Sequence, residues 1–277
     1  MERTATQSCL NDWNMKNNEY GKHLSEAYDA LNTDVDYEEW AHFYCVAAEK
    51  HGLSKLNSVC DMACGTGALS VALEKKGCRV TAFDLSEDML TLADKRARDE
   101  GAERVRFTRQ DLRDFRVYAP VELCVCMMDG MNCLETPADV ECAMQSAYRA
   151  LCEDGLFIFD VNARHKFETV YAENAYLMEA EDVFLAWQNF YRPDNKKCDM
   201  YLTFFCQQPD GRYVRYDETV RERMYPVRTL DRLLARTGFT VLERVSDFAF
   251  TPADENECDR IFYICKKNPE ALTQERE

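Results

Sequence analysis

The chain has 277 residues and a formal net charge of −16. That charge argues against a protein that tracks nucleic acid, because such proteins usually present a basic face to the phosphates. No apolar run approaches the ~20 residues of a membrane-spanning helix, so we expect no membrane association.

The 14 cysteines are scattered without a C-x-x-C pair, and only four histidines occur. We recognise no signal peptide, and a chain of this size does not need a disulfide scaffold. We therefore expect free thiols and a cytoplasmic location. Neither residue type shows the spacing of a metal site, and we predict that no metal is bound.

Two helices are predicted at the N-terminal end of the chain. A helical pattern of apolar and aromatic residues begins at Tyr20 and continues to Leu31, and a second one runs from Glu38 to Lys50. Residues 1–50 therefore form a predicted helical segment ahead of the first strand.

A tight glycine turn follows the first predicted strand. The short apolar run from Val59 ends at Asp61, Gly65 and Gly67 follow, and a helical pattern begins at Ala68. Glycine permits positive φ and close approach of a ligand to the backbone, while free N–H groups at a helix start bind polar or anionic atoms. This arrangement predicts a site for a nucleotide-like ligand.

Two further predicted strands also end in acids. Residues 79–84 end at Asp84, and residues 105–110 lead into Asp111. A carboxylate at the position of Asp84 can accept hydrogen bonds from both hydroxyls of a ribose. Ser86 is a suitable N-cap for the helix between these two strands.

The remaining sequence predicts four more strands of the main sheet and an inserted β-sheet. The apolar run at residues 121–128 is typical of a strand buried on both faces of a parallel sheet, and it ends at Asp129. The inserted sheet is predicted as an antiparallel meander because turn signals separate its β-rich runs. Further predicted helices span 137–153 and 229–237, the other main-sheet strands 156–162, 239–245 and 261–266, and the meander strands 183–191, 200–206 and 213–220.

The predicted fold class is α/β. We expect a Rossmann-like seven-stranded mixed sheet with its last strand antiparallel and helices on both faces, plus a small antiparallel β-meander cap. The predicted core comprises residues 51–170 and 224–267, the cap residues 171–223, and a polar tail residues 268–277.

The run from Asp61 to Gly67 resembles the first motif of class I S-adenosylmethionine (SAM)-dependent methyltransferases, usually D-x-G-x-G-x-G, with Ala63 at the first glycine. The whole pattern is similar to the bacterial small-molecule methyltransferases that carry a β-rich cap. The resemblance implies SAM as cofactor, Asp84 on its ribose, Asp111 facing its adenine, and residues 1–50 closing over its methionine end. The cofactor-binding residues that it implies are Tyr20, Tyr28, Asp61, Ala63, Cys64, Gly65, Thr66, Gly67, Asp84, Leu85, Met89, Gln110, Asp111, Leu112, Met127 and Met128.

Such a reaction is an in-line displacement in which the protein mainly aligns the reactants and excludes water. A general base is needed only when the nucleophile must lose a proton. His165 is the single histidine at the predicted active edge and is the candidate base. Other polar candidates near the methyl group are Asp129, Asn132 and Asn162, and aromatic candidates for an acceptor pocket are Trp187, Tyr191 and Tyr201.

Three functions remain open at this point. The first is methyl transfer from SAM to a small-molecule acceptor, by a monomer or homodimer. The second is a SAM-binding regulator without transfer activity. The third is a nicotinamide-dependent oxidoreductase, which the serine at position 70, in place of the third glycine of G-x-G-x-x-G, disfavours.

Overall fold

The computed structural model describes residues 22–180 and 182–268. Tyr20 and the predicted tail beyond Asn268 lie outside the described residues. Within these ranges, no helix combines the length and the apolar character needed to cross a membrane. The α-helices are α1 (Lys22–Leu31), α2 (Tyr37–Lys50), α3 (Ala68–Lys75), α4 (Glu87–Asp99), α5 (Pro137–Ala150) and α6 (Val227–Arg236).

The strands form two separate sheets, and a short 3₁₀-helix (Gly130–Cys133) and a π-helix (Lys166–Tyr171) follow strands of the first. The strands are β1 (Ser58–Met62), β2 (Arg79–Asp84), β3 (Val105–Arg109), β4 (Val121–Cys126), β5 (Leu151–Asn162), β6 (Ala175–Ala180), β7 (Val183–Arg192), β8 (Lys197–Gln207), β9 (Tyr213–Arg223), β10 (Phe239–Val245) and β11 (Arg260–Lys267).

The larger sheet has seven strands in the order β10-β11-β5-β4-β1-β2-β3. β11 is antiparallel to both of its neighbours, whereas the pairs from β5 to β3 are parallel. Every residue of the central strand β1 is buried, as expected for a parallel strand with helices on both sides. The predicted Rossmann-like sheet with an antiparallel last strand is confirmed.

Helices cover both faces of this sheet, because successive side chains of a strand point to opposite faces. One apolar core packs α5 and α6 against the face that carries Phe157 and Phe159. The other packs α2 and α3 against the face that carries Val59 and Ile158. The carboxyl ends of the parallel strands are thereby left for a ligand site.

The smaller sheet is antiparallel in the order β6-β7-β8-β9 and therefore has one strand more than the meander we predicted. The additional strand is β6. Its sequence shows no alternation of apolar and polar residues, because most of its side chains are exposed at the sheet edge, as at Leu177. Helix α1 packs on the inner face of this sheet, where Leu24 and Ala27 share an apolar core with residues such as Phe204.

The boundary between α5 and β5 also differs from the prediction. The helix ends at Ala150 rather than at residue 153, and the chain passes directly into β5 at Leu151, which pairs with Val121 of β4. Residues 154–155, which lie between the predicted helix and the predicted strand, belong to β5 instead, and Asp154 has a φ of 59° there. Pairing with a neighbouring strand thus extends β5 through a residue in the left-handed region.

Candidate active site

The turn after β1 takes up left-handed backbone conformations. Gly65 and Gly67 have φ angles of 55° and 74°, and Ala63 has a φ of 55°. Ala63 thus takes up a left-handed conformation despite its methyl group. A Cβ atom at position 65 would meet no atom within 4 Å, so the space beside this turn is open. Backbone conformation, and not lack of room, favours glycine at position 65.

The carboxyl group of Asp84 is held beside this turn by the backbone. The N–H groups of Gly65 and Ser86 each donate a hydrogen bond of 2.9 Å to it. The N–H of Cys64 donates to the carbonyl oxygen of Phe83 at 2.9 Å, which ties the turn to the end of β2. Burial raises the pKa of Asp84 above its ordinary value. An ionised carboxylate offers about four acceptor positions, so two bonds to the backbone leave acceptor capacity for a ligand.

A cavity of about 400 Å³ lies at the carboxyl ends of β1, β2 and β4. This volume is within the roughly 300–1,000 Å³ of small-molecule sites. Its place between β1 and β4, where the strand order reverses, is where open α/β sheets bind ligands. Twelve of the predicted cofactor residues line it, namely Tyr28, Ala63, Cys64, Gly65, Thr66, Asp84, Leu85, Gln110, Asp111, Leu112, Met127 and Met128.

Three other predicted cofactor residues are buried and do not line the cavity. Asp61 and Met89 are buried, and Asp61 accepts a 2.5 Å hydrogen bond from the hydroxyl of Ser70. Gly67 precedes α3, and a Cβ atom there would lie 2.8 Å from the Cβ atom of Ala93 on α4. The packing of α4 and the positive φ therefore require glycine at position 67, without any contribution from a ligand. Tyr20 lies outside the described residues.

Ten further residues line the cavity without having been predicted. Part of this set follows β4, where the only sequence signal was the polar candidate Asp129 at the end of the predicted strand. The 3₁₀-helix that follows Asp129 has too few residues to show periodicity. The unpredicted lining residues are Tyr37, Ala68, Phe83, Ser86, Arg113, Gly130, Cys133, Leu134, Glu135 and Asp139.

Helix α1 closes one side of the cavity and is bound to the core by polar contacts. Asp29 accepts a 2.8 Å hydrogen bond from the hydroxyl of Thr66 and forms an ion pair with Arg96. Beside it, the hydroxyl of Tyr28 donates to the sulfur of Met128 at 3.8 Å. Burial raises the pKa of Tyr28 well above its ordinary value, so this phenol is neutral at physiological pH.

The opposite end of the cavity contains the side chains after β3. Asp111 accepts hydrogen bonds of 2.9 Å from both the backbone N–H and the Nε of Arg113, and this arginine lowers the pKa of Asp111. The side chain of Gln110 is also held, because it accepts a 2.8 Å hydrogen bond from the N–H of Arg116. This end therefore offers a charged carboxylate beside the apolar side chain of Leu112.

The candidate base and the aromatic candidates are not part of this lining. His165 is partly exposed, and its Nδ1 lies 2.9 Å from the carboxylate of Asp259. Trp187 and Tyr191 belong to the apolar core between the cap sheet and α1. Tyr201 packs edge-on against Phe190, whose side chain is exposed.

The other polar candidates connect the core to the cap. The side-chain oxygen of Asn132 accepts from the N–H of Asn162 at 2.9 Å, and its amide nitrogen donates to the carbonyl oxygen of Arg223 at 2.8 Å. The amide nitrogen of Asn162 donates to Glu222 of β9 at 2.8 Å. Asp129 lies between the cavity-lining residues Met128 and Gly130, with a φ of 57°.

Comparison with known proteins assigns the chain to a family. A family model described as "Methyltransferase domain" matches residues 59–155. A Geobacillus sp. (strain WCH70) protein that carries a methyltransferase name is 30% identical over 240 residues, covering 87% of this chain and 96% of the relative. A solved SAM-dependent methyltransferase from Clostridium acetobutylicum ATCC 824 is 28% identical, with a TM-score of 0.80 over 89% of this chain and 98% of its own. The chain belongs to the class I SAM-dependent methyltransferases. The SAM-bound amino pentose methyltransferase CalS10 from Micromonospora echinaspora shares the fold, with 16% identity and a TM-score of 0.70 over 90% of this chain and 98% of its own.

The family assignment confirms the predicted resemblance and disfavours the oxidoreductase. SAM is the cofactor of this methyltransferase family, and the geometry of the cavity suits it. The backbone at Gly65 faces open space, and the Asp84 carboxylate is fixed with acceptor capacity remaining. A diol has two donors for such a carboxylate, so the residues present fit the ribose of the cofactor.

Proposed function

We propose that this methyltransferase transfers the methyl group of SAM to a small-molecule acceptor. The observation that carries this proposal is the cavity itself, which α1 closes on one side. Its lining includes Gly130 and Cys133, which lie in the same 3₁₀-helix as Asn132, the residue that donates to Arg223 of the cap. The negative charge of the chain disfavours polyanionic acceptors such as nucleic acid. The printed name of the fold neighbour CalS10, an amino pentose methyltransferase, is compatible with a small acceptor.

Three parts of the cavity contact three parts of the cofactor in this proposal. Asp84 accepts hydrogen bonds from the ribose, and the backbone from Ala63 to Thr66 contacts the polar end of the cofactor. Residues 110–112 surround the adenine, where the carboxylate of Asp111 accepts from its amino group. Tyr28, with Met127 and Met128, covers the methionine end and excludes water.

In this proposal the core and the cap have separate tasks. Residues 51–170 and 224–267 hold the cofactor, the N-terminal segment closes over it, and residues 171–223 select the acceptor. When bound, SAM supplies an activated methyl group, so the side chains need only position the acceptor and handle its proton. We also propose that no metal is needed and that the protein is cytoplasmic, as a monomer or homodimer. Unchanged activity after dialysis against a chelator, and light scattering on the purified protein, check the metal and the oligomer.

Release of S-adenosylhomocysteine tests the proposed function. The purified protein is incubated with SAM and a small-molecule metabolite extract, with an extract-free blank and an Asp84→Ala variant as controls. We expect product formation that requires both the extract and the intact cofactor site. Tight SAM binding without release above the blank would instead favour the SAM-binding regulator.

A further inference from the structure

One carboxylate of the cavity lining is bonded to the cap and has no assigned task. Glu135 lies between the 3₁₀-helix and α5, and it lines the cavity. Its Oε2 atom is 2.6 Å from the Nζ of Lys197 on β8 and 3.6 Å from the Nη1 of Arg221 on β9. The cavity therefore meets the cap at this residue.

Contacts on the cap side fix the position of this carboxylate. Arg221 also pairs with Asp199, which is 3% exposed. The Nη1 of Arg223 donates to the backbone carbonyl oxygen of Glu135 at 2.9 Å. A side chain that is held before a ligand arrives loses little freedom on binding, so Glu135 is preorganised.

Only one oxygen atom of Glu135 is used by these contacts. Both ion pairs are made by Oε2, and Oε1 accepts no hydrogen bond from any residue that the structure describes. The side chain is 39% exposed, so a ligand in the cavity can reach it. The hydrogen bond from Lys197 lowers the pKa of Glu135, so this group is ionised at neutral pH and only accepts hydrogen bonds.

The charges beside Glu135 indicate which kind of donor fits its free oxygen. Lys197 and Arg221 already balance the charge of the carboxylate. An ammonium group would meet these two cations at close range, and like charges repel. A hydroxyl group donates a hydrogen bond without bringing a charge, and its bond to a carboxylate is stronger than one to a neutral oxygen.

Asp139 is another carboxylate of the lining, and it is connected differently. It accepts a 3.1 Å hydrogen bond from the N–H of Thr136, and the Nη1 of Arg113 lies 3.7 Å from it. Arg113 also pairs with Asp111, which we assign to the adenine. Asp139 is thus joined to the cofactor end of the cavity, whereas Glu135 is joined to the cap that we propose selects the acceptor.

We infer that Glu135 is a specificity residue of the acceptor subsite, where its Oε1 accepts a hydrogen bond from a hydroxyl group of the acceptor. This inference rests on the proposed function and names its substrate class, a small molecule with a hydroxyl group besides the atom that is methylated. Because Glu135 holds the acceptor equally before and during methyl transfer, its loss raises the KM for the acceptor and leaves kcat unchanged.

The decisive variant is Glu135→Ala, which removes both carboxylate oxygens. The rate of S-adenosylhomocysteine release is measured against dilutions of the metabolite extract. We expect the half-saturating extract concentration to rise about tenfold to a hundredfold, the usual range for a hydrogen bond to a charged group, while the maximal rate stays within about twofold. SAM affinity by calorimetry should also stay within about twofold.

Glu141→Gln is the matched control, because Glu141 is an ion-paired acid of α5 outside the cavity lining. It should change none of these quantities, and circular dichroism establishes that each variant is folded. An unchanged half-saturating concentration for Glu135→Ala overturns the inference. So does a loss of SAM affinity, which would place Glu135 in the cofactor site.

A second variant separates the free oxygen from the ion pair. Lys197→Met leaves the Glu135 carboxylate in the cavity but removes its partner on the cap. We expect a smaller rise in the half-saturating concentration than for Glu135→Ala. Equal rises in the two variants would assign the effect to the attachment of the cap and refute recognition by Glu135.

A binding measurement separates this inference from the proposed function, because it needs no methyl transfer. Protein loaded with S-adenosylhomocysteine is incubated with the extract and recovered by filtration, and the retained compounds are identified by mass spectrometry. We expect a hydroxyl-bearing compound to be retained by wild type and Glu141→Gln and lost from Glu135→Ala. That result without transfer by the wild type would refute the proposed function and support the subsite. Equal retention by all three proteins, or a retained compound without a hydroxyl group, would refute the subsite even where methyl transfer proceeds.

Discussion

Removal of the Asp84 carboxylate is the most direct test of the cofactor site. In the structure this group accepts hydrogen bonds from the N–H groups of Gly65 and Ser86, so the backbone fixes its orientation before a ligand arrives. A ribose diol adds two hydrogen bonds to a charged acceptor, each worth roughly 1.5–3 kcal/mol. Because about 1.4 kcal/mol corresponds to a tenfold change in affinity, Asp84→Ala should weaken SAM binding by at least tenfold.

Two effects reduce the apparent loss below the sum of both bonds. Water enters the space left by the carboxylate and solvates the ribose hydroxyls, and the freed N–H groups bind water as well. Burial of Asp84 also raises its pKa, so ionisation of this group has a cost in the free protein that the variant no longer has. We therefore expect the SAM affinity to fall by about tenfold to a hundredfold, which is less than the full strength of the two hydrogen bonds would give.

The assay is isothermal titration of SAM into wild-type protein, Asp84→Ala and Asp99→Asn. Asp99 is an exposed acid at the end of α4, so its variant controls for the loss of one negative charge. Circular dichroism and thermal unfolding establish that each variant is folded. A folded Asp84→Ala protein with wild-type SAM affinity would refute the assignment of the ribose to this carboxylate.

Three other variants separate packing, closure and protonation. Gly67→Ala should lower the melting temperature, because the added Cβ atom would lie 2.8 Å from the Cβ atom of Ala93. A variant with lower SAM affinity and unchanged stability would contradict this account. Asp29→Ala releases α1 from Arg96 and should weaken SAM binding severalfold without unfolding the core, as titration and circular dichroism would show. Burial raises the pKa of Asp61 to about 7, so its stabilising contribution is present at low pH and is lost as the pH rises through about 7. Asp61→Asn should therefore gain stability relative to wild type as the pH rises from about 4 to about 7, by about 4 kcal/mol at most, and urea unfolding with equal pH dependence in both proteins would disprove this.

Sequence patterns predicted the parts of the site that local chemistry determines. The acid-ended strands and the glycine turn require particular residue types at fixed spacing, so Gly65, Asp84 and Asp111 could be recognised and all three line the cavity. Glu135 could not be found in this way. It follows a 3₁₀-helix that is too short to show periodicity, and yet it lines the cavity. His165 is the opposite case. It follows a strand end in the sequence, but its ring lies beside Asp259 and does not line the cavity.

Strand β9 of the cap anchors the helix that closes one side of the cavity. Glu218 on this strand accepts hydrogen bonds from the backbone N–H groups of His23 and Leu24 at 2.9 and 3.2 Å, and so caps the first turn of α1. One turn further along, the same helix carries Tyr28 into the cavity wall. The cap therefore contributes to the cofactor side of the cavity, because two of its hydrogen bonds hold the helix that presents Tyr28.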